Sequence, residues 1–173
     1  MTIVISEAPS GVSLMEGQLT MGRIDDRLAE LGITLPEPVR PAATYTRFVH
    51  DEETGRLLVS GTGPVMGGPV GQVDSDVSVE QAVAAARECG LQLLATVKDA
   101  VGDLDRVVRV VKVLGMVNSA PSFGQHPAVI NGCTDLFVEV FGREIGLPTR
   151  SAVGMGGLPD RIPVEIEAEF KVR

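Results

Sequence analysis

The chain has 173 residues, of which 44% are hydrophobic and 3% are aromatic, and its formal net charge is −8. This length and hydrophobic content predict one globular domain with an aliphatic core and exclude a disordered chain. The acidic balance disfavours a nucleic-acid partner, because the most basic segment, residues 106–112, is diluted by valines and has no aromatic neighbours.

No apolar run is long enough to span a membrane, and the N-terminus lacks the basic start and long apolar core of a signal peptide. These features predict a cytoplasmic protein with no membrane partner. The two cysteines, Cys89 and Cys133, lie far apart in segments with helical character. They are expected to be reduced thiols in the core.

The first third of the chain predicts one short helix and one hairpin. Residues 1–20 show no clear periodicity and predict a flexible N-terminal extension before one domain spanning residues 21–173. An amphipathic pattern over residues 24–33 predicts a short helix that ends at a glycine. Residues 44–61 predict a β-hairpin, since two β-rich runs flank a polar turn that contains a glycine. A long loop rich in glycine and proline follows.

The middle of the chain predicts a helix, a strand and a second helix. A capping box between Ser78 and Gln81 predicts the start of a long helix that ends at Gly102. Residues 106–117 are rich in β-branched side chains and predict a strand, although their basic residues recur at every third position. Residues 128–142 predict the second helix.

Two strands are predicted to close the chain, at residues 149–157 and 163–173. In the second, apolar and charged residues alternate without a break, which is the period of a strand with one buried face. The element order ββ-α-β-α-ββ predicts an α+β fold, a mostly antiparallel sheet with two helices packed on one face. The other face of the sheet is left uncovered, which favours an oligomer.

Several common chemistries lack their residues. The two histidines, His50 and His126, have no Cys, Asp or Glu at metal-ligand spacing, which predicts ordinary solvent-facing side chains and no metal site. No Cys–His or nucleophile-elbow pattern is present. The glycine-rich loop at residues 61–68 lacks the Gly-Lys-Ser/Thr ending of a phosphate-binding loop.

Arg150 and Glu165 are the strongest candidates for a site. Arg150 opens a predicted strand, and the small residues after it leave room for a carboxylate ligand beside the planar guanidinium. Glu165, on what is predicted to be the neighbouring strand, is a candidate base for activating water. The alternative is an ordinary cross-strand ion pair on a solvent-exposed face, and the residue pattern alone favours this alternative.

Four segments carry a resemblance to a known family. They are LLVSGTGP at 57–64, KDAVGDLDRVVRV at 98–110, LPTRSAVGMGGLP at 147–159 and VEIEAEFKV at 164–172. From residue 41 to its end the chain resembles the reactive intermediate deaminases, also called the RidA, YjgF-like or liver perchloric-acid-soluble protein family. Residues 24–38 and 117–142 resemble a divergent subgroup of poorly defined role.

The resemblance implies a chorismate-mutase-like fold, a homotrimer and ligand clefts between subunits. It also implies hydrolysis of enamine and imine intermediates to 2-keto acids and ammonia. The imine carbon is already electrophilic, so neither a metal nor another cofactor is expected to be required. The implied partner is a small metabolite that carries a carboxylate.

Site residues follow from the same resemblance. Arg150 matches the arginine that holds the substrate carboxylate, and Glu165 matches the glutamate that handles the attacking water. Gly61 matches a glycine that lines the cleft with its backbone, and Ala152 stands where many members have a cysteine. Thr62 replaces the usual glutamine.

Two residues near the first hairpin complete the expected substrate-binding set. Tyr45 lies about two positions before the tyrosine that commonly lines the cleft, and Arg47 stands nearer to that position. Arg47 in the cleft is expected to favour a ligand with a second negative group.

Three functions are compared on this basis. The first is an imine deaminase, and the second is a non-catalytic protein that binds or senses carboxylate metabolites in the same cleft. The third is the ribonuclease label carried by the superfamily. It ranks last, because the chain is acidic and has no histidine-based acid–base pair.

Overall fold

The computed structural model describes residues 22–38, 40–41 and 43–173. The extension predicted for residues 1–20 lies outside these ranges. The described part contains three α-helices and five strands, besides two short 3-10 helices at Leu104–Arg106 and Pro159–Arg161. In chain order they are α1 (Arg23–Glu30), β1 (Phe48–Asp51), β2 (Arg56–Thr62), α2 (Val79–Val101), β3 (Val107–Asn118), α3 (His126–Gly146), β4 (Thr149–Met155) and β5 (Val164–Val172).

The five strands form one sheet in the order β1-β2-β5-β3-β4. The pairings β1–β2, β2–β5 and β3–β5 are antiparallel, and β3–β4 is parallel. Helices α2 and α3 pack against each other and against one face of the sheet. This arrangement confirms the predicted α+β fold with a mostly antiparallel sheet and two helices on one face.

Local signals in the sequence explain the long helix and the central strand. The capping box that starts α2 is present, with the backbone N–H of Gln81 donating to the Ser78 hydroxyl at 3.2 Å. Gly102 ends α2 with a φ of 80°. In β5 the apolar side chains are buried on the helix side and the charged ones face away, as the alternation predicts.

Strand β3 contains two irregularities that explain its unusual period. Its register against β5 shifts between Val107 and Arg109 and again between Val110 and Lys112. Each shift places an extra residue on β3, which is the definition of a β-bulge. The buried valines therefore recur at every third position in this segment, at 107, 110 and 113, while the chain remains a strand.

Helix α3 differs from its prediction at both ends. It begins at His126, two residues earlier than expected, and continues to Gly146 across a break at Gly142, where φ is 77°. Gly142 indicates a stop in the sequence, but the chain resumes one more helical turn after it. His126 is therefore the first residue of a helix rather than part of a loop.

Helix α1 lies across the two long helices. Ile24 and Leu28 are buried. Asp25 accepts a hydrogen bond from Lys98 of α2 at 2.7 Å, and Arg27 donates to the carbonyl of Glu139 in α3 at 3.0 Å. Within the described residues, no helix is long and apolar enough to cross a membrane.

The sheet face that points away from the helices is mixed in character. Val49, Leu58 and Val153 expose 54%, 42% and 40% of their surface on it. A shallow hollow of about 280 Å³ lies on this face beside Val49 and Leu58, with Glu167 and Glu169 at its wall. A face with this many exposed aliphatic side chains beside carboxylates is suited to contact another subunit.

Candidate functional site

Glu165 lies directly against Gly61, across the β2–β5 pair. A Cβ atom built on Gly61 would lie 2.1 Å from the Glu165 Oε1 atom and 3.1 Å from its Cδ atom. No real side chain fits at that distance, so the glycine makes the room in which the carboxylate sits. The structure thus brings together two of the predicted site residues.

A β-bulge at the end of β2 shapes this contact. The register against β5 runs from Val59 opposite Ala168 to Thr62 opposite Ile166, so β2 carries one extra residue there. Bulges of this kind redirect backbone and side chains, and they are common beside active sites. The Thr62 hydroxyl donates to the Ser60 carbonyl at 2.9 Å, which holds the bulge from its own strand.

The Glu165 carboxylate is electrostatically distinct from its neighbours. Partial burial, with a smaller contribution from Glu167, raises the pKa of Glu165 above the usual range. On the same face, Glu169 has a lowered pKa because Arg56 donates a hydrogen bond to it at 2.7 Å. In the described part of the chain no cation lies within ion-pair distance of Glu165.

Arg150 lies on β4, at the edge of the sheet, and points toward α3. Its Nη1 group donates to the Thr134 hydroxyl at 2.9 Å, and its Nη2 group donates to the Pro127 carbonyl at 3.2 Å. These two contacts fix the plane of the guanidinium. Other N–H groups of the five remain available for a ligand carboxylate.

Arg150 and Glu165 do not meet within one chain. Arg150 is paired with Val113 on the helix side, whereas Glu165 is paired with Met116 and faces away from the helices. Strand β3 lies between β4 and β5, so two strand spacings and three residues separate the two Cα atoms, a distance of about 14 Å.

Two expectations are therefore wrong. Glu165 is not on the strand next to Arg150, and the alternative of a cross-strand ion pair is excluded because the two side chains lie on opposite faces. Arg150 and Ala152 instead form one group on the helix side of β4. Gly61, Thr62 and Glu165 form a second group at the β2–β5 pair.

Arg47 and Tyr45 occupy other surroundings. The Arg47 guanidinium pairs with Asp99 of α2 and lies 5.7 Å from the centre of the Phe48 ring. Tyr45 is half exposed in the bend that precedes β1. Within one chain the structure does not bring either residue to the Gly61–Glu165 contact.

His126, for which the sequence predicts an ordinary solvent-facing side chain, is partly buried and makes specific contacts. Its Nε2 atom lies 3.1 Å from the Ser119 hydroxyl oxygen, and its ring meets Phe123 edge-on at 5.1 Å between centroids. Ser119 and His126 are seven residues apart across a Pro- and Gly-containing loop, so no local pattern indicates their contact.

Both cysteine thiols lie in the core, as the sequence predicts. Cys89 and Cys133 are fully buried, and burial raises the pKa of both thiols, which makes them unreactive core residues. Among the described residues no group of three or more His, Cys, Asp or Glu is placed to hold a metal ion.

One groove of the described chain lies away from both groups of site residues. It has a volume of about 720 Å³ and runs between α1, the segment after it and α2. None of the predicted site residues lines it.

We predict that Gly61→Ala displaces the Glu165 carboxylate. The variant should strongly lower the rate of any reaction in which this carboxylate takes part, with little loss of stability. The clash is with the end of a flexible side chain, which can rotate away. Gly156→Ala is the matched control, since a Cβ at Gly156 meets no atom within 4 Å. Activity and thermal unfolding of both variants check this. Equal activity of the two variants would show that the Gly61–Glu165 contact has no functional role.

Comparisons with known proteins agree on one family. Residues 25–155 match a family model described as YjgF/chorismate mutase-like, with a provisional endoribonuclease label. Protein TCP17 of Trypanosoma cruzi is 43% identical over 150 residues, which cover 85% of this chain and 92% of that protein.

Two solved structures are similar over most of the chain. Atu1372 of Agrobacterium tumefaciens, a protein of unknown function, is 40% identical with a TM-score of 0.77, over 87% of this chain and 94% of that one. A Shewanella oneidensis protein that carries the same provisional endoribonuclease label is 27% identical with a TM-score of 0.80, over 86% and 99%.

Proposed function

Because this chain belongs to the YjgF/chorismate mutase-like family, we propose that it hydrolyses reactive 2-imino acids to 2-keto acids and ammonia. The observation that carries the proposal is the state of Glu165. Its carboxylate is partly buried against Gly61, has a raised pKa, and has no cation beside it in the described chain. A carboxylate in this state is suited to accept a proton from water.

We further propose that the site forms between subunits of a homotrimer. Arg150 and Glu165 lie on opposite faces of one sheet, so both can reach one small ligand only if two subunits contribute them. The contact would join the β4 edge of one subunit to the open sheet face of the next. A contact between two different surfaces forms a ring where the rotation between subunits closes, and a trimer is one such ring.

The proposed reaction needs three steps and no external electron donor. Arg150 holds the substrate carboxylate through two parallel hydrogen bonds. Water attacks the carbon of the protonated imine while Glu165 of the neighbouring subunit accepts one water proton, which gives a neutral carbinolamine. Glu165 then returns this proton to the nitrogen. The C–N bond breaks and ammonia leaves as the hydroxyl proton passes to Glu165 and the carbonyl forms, and Glu165 releases that proton to solvent. Orientation of the two reactants supplies most of the rate gain.

A panel of imino acids tests this function directly. Each is generated in situ by an amino-acid oxidase, and the imine that remains is trapped with semicarbazide. The protein should lower trapping and speed ammonia release for at least one side chain. Trapping equal to that of buffer over the whole panel would overturn the deaminase proposal.

A non-catalytic binding protein is the second candidate. The departures at Thr62 and Ala152 favour it, since the Thr62 hydroxyl is engaged by the Ser60 carbonyl and Ala152 carries no polar group. Stabilisation by 2-keto acids in a thermal-shift assay, without turnover of any imine, would support this candidate over the first.

RNA cleavage, the activity in the family description, ranks last. The net charge of −8 repels a phosphate backbone. The arginines of the most basic segment are engaged by carbonyl groups, Arg106 by Val101 and Arg173, and Arg109 by Glu144. RNA cleavage that disappears in Arg150→Ala would reverse this ranking.

A further inference from the structure

The imidazole of His126 is held in a fixed position beside β4. Ser119, which is 5% exposed, contacts its Nε2 atom at 3.1 Å, and the buried Phe123 packs edge-on against the ring. His126 as a whole is partly exposed. A polar group that is fixed on one side and open on the other is arranged to contact a ligand.

Gly154 allows the ring to approach the strand. A Cβ atom on Gly154 would lie 2.6 Å from the His126 Nε2 atom and 3.1 Å from the Ser119 hydroxyl oxygen. Any larger residue would displace the pair from β4. The glycine therefore fixes the distance between the imidazole and the strand that carries Arg150.

Arg150, Ala152 and Gly154 lie on the same side of β4. On β3 they pair with Val113, Gly115 and Val117, and helix α3 covers this side of β3. The Cα atoms of Arg150 and Gly154 are about 13 Å apart. Between them, this side of β4 carries only the methyl group of Ala152. The Arg150 guanidinium donates to the carbonyl of Pro127, the residue that follows His126, so the arginine and the imidazole are neighbours on this side of β4.

We propose that His126 is a specificity-determining residue, which contacts a hydrogen-bond-accepting group at the end of the substrate side chain. The inference rests on the proposed function of Arg150 as the anchor of the substrate carboxylate. An imidazole can donate an N–H in either of its protonation states. The arrangement selects 2-imino acids with an acidic side chain over those with an alkyl side chain of equal length.

The test compares two imino acids of five carbons. 2-Iminoglutarate is generated from glutamate, and 2-iminopentanoate from norvaline, each by an oxidase of matching specificity. Wild type should have a kcat/KM at least tenfold higher for the acidic substrate. His126→Ala should abolish this preference by lowering kcat/KM for the acidic substrate, and His126→Asn, which keeps a donor, should retain part of the preference.

Direct binding separates this inference from the deaminase proposal. Calorimetry with 2-oxoglutarate and 2-oxopentanoate requires no turnover, and wild type but not His126→Ala should bind the first more tightly. If no imine is hydrolysed but this difference is measured, the role of His126 stands and the deaminase proposal falls. If His126→Ala weakens both ligands equally, or wild type binds both equally, His126 does not set specificity.

Discussion

Arg150→Ala is expected to lower kcat/KM for 2-imino acids by roughly 100-fold or more. Hydrogen bonds to a charged group contribute about 1.5–3 kcal/mol each, and the guanidinium offers two of them to the substrate carboxylate. Since about 1.4 kcal/mol corresponds to a factor of ten, losing both accounts for this drop. Arg150→Lys keeps the charge but not the planar fork, so we expect an intermediate loss.

The control for this prediction is Arg143→Ala, which removes an exposed arginine at the end of α3. Its activity should match that of wild type. Arg150 also donates to Thr134 and to the Pro127 carbonyl, so thermal unfolding of each variant is measured beside activity. Full activity of a folded Arg150→Ala protein would remove Arg150 from the site.

Glu165→Gln is expected to lower kcat by roughly 100-fold or more, because glutamine cannot accept a proton from water. In wild type the acid limb of the pH–rate profile should follow the raised pKa of Glu165 and lie above the usual glutamate range. Glu167→Gln is the informative companion. It removes a neighbouring negative charge, so it should keep the plateau rate and move the acid limb to lower pH.

Glu165→Gln should raise the stability of the folded protein while it lowers activity. Burial raises the pKa of Glu165, so folding favours its protonated form. Below the ordinary glutamate pKa of about 4.3 the carboxyl is protonated in both states and folding carries no penalty from it. The penalty appears as pH rises through the raised pKa.

Glu165→Gln should therefore unfold at a higher temperature than wild type at pH 8, and the difference should vanish near pH 4. Thermal unfolding across this pH range is the measurement. A glutamine variant that is less stable than wild type at pH 8 would contradict the assignment of Glu165 as a desolvated carboxylate. An active Glu165→Gln protein would contradict its assignment as the base.

The elements of the fold could be predicted where one local signal acts alone. The capping box at Ser78 and the alternation in β5 are such signals, and both are confirmed. In β3 the two bulges replace the period of a strand by a period of three, so only the β-branched composition indicated a strand. At Gly142 a stop signal is present but the helix resumes after it.

The arrangement of the site depends on contacts that no local pattern encodes. The order of strands places β5 between β2 and β3, which joins Gly61 to Glu165 and separates Glu165 from Arg150. Pairing over such long stretches of chain is decided by the packing of the whole sheet. The contact of Ser119 with His126 likewise arises only because α3 returns to the end of β3.

The central claim is that Arg150 of one subunit and Glu165 of its neighbour act on the same ligand. Mixing Arg150→Ala and Glu165→Gln proteins, after dissociation and reassembly, tests it most directly. If each site takes one residue from each of two subunits, random mixing restores about a quarter of the sites. We predict that mixed oligomers, verified by native mass spectrometry, regain about this fraction of wild-type activity. Activity no greater than that of the two variants alone would show that the site does not form between subunits.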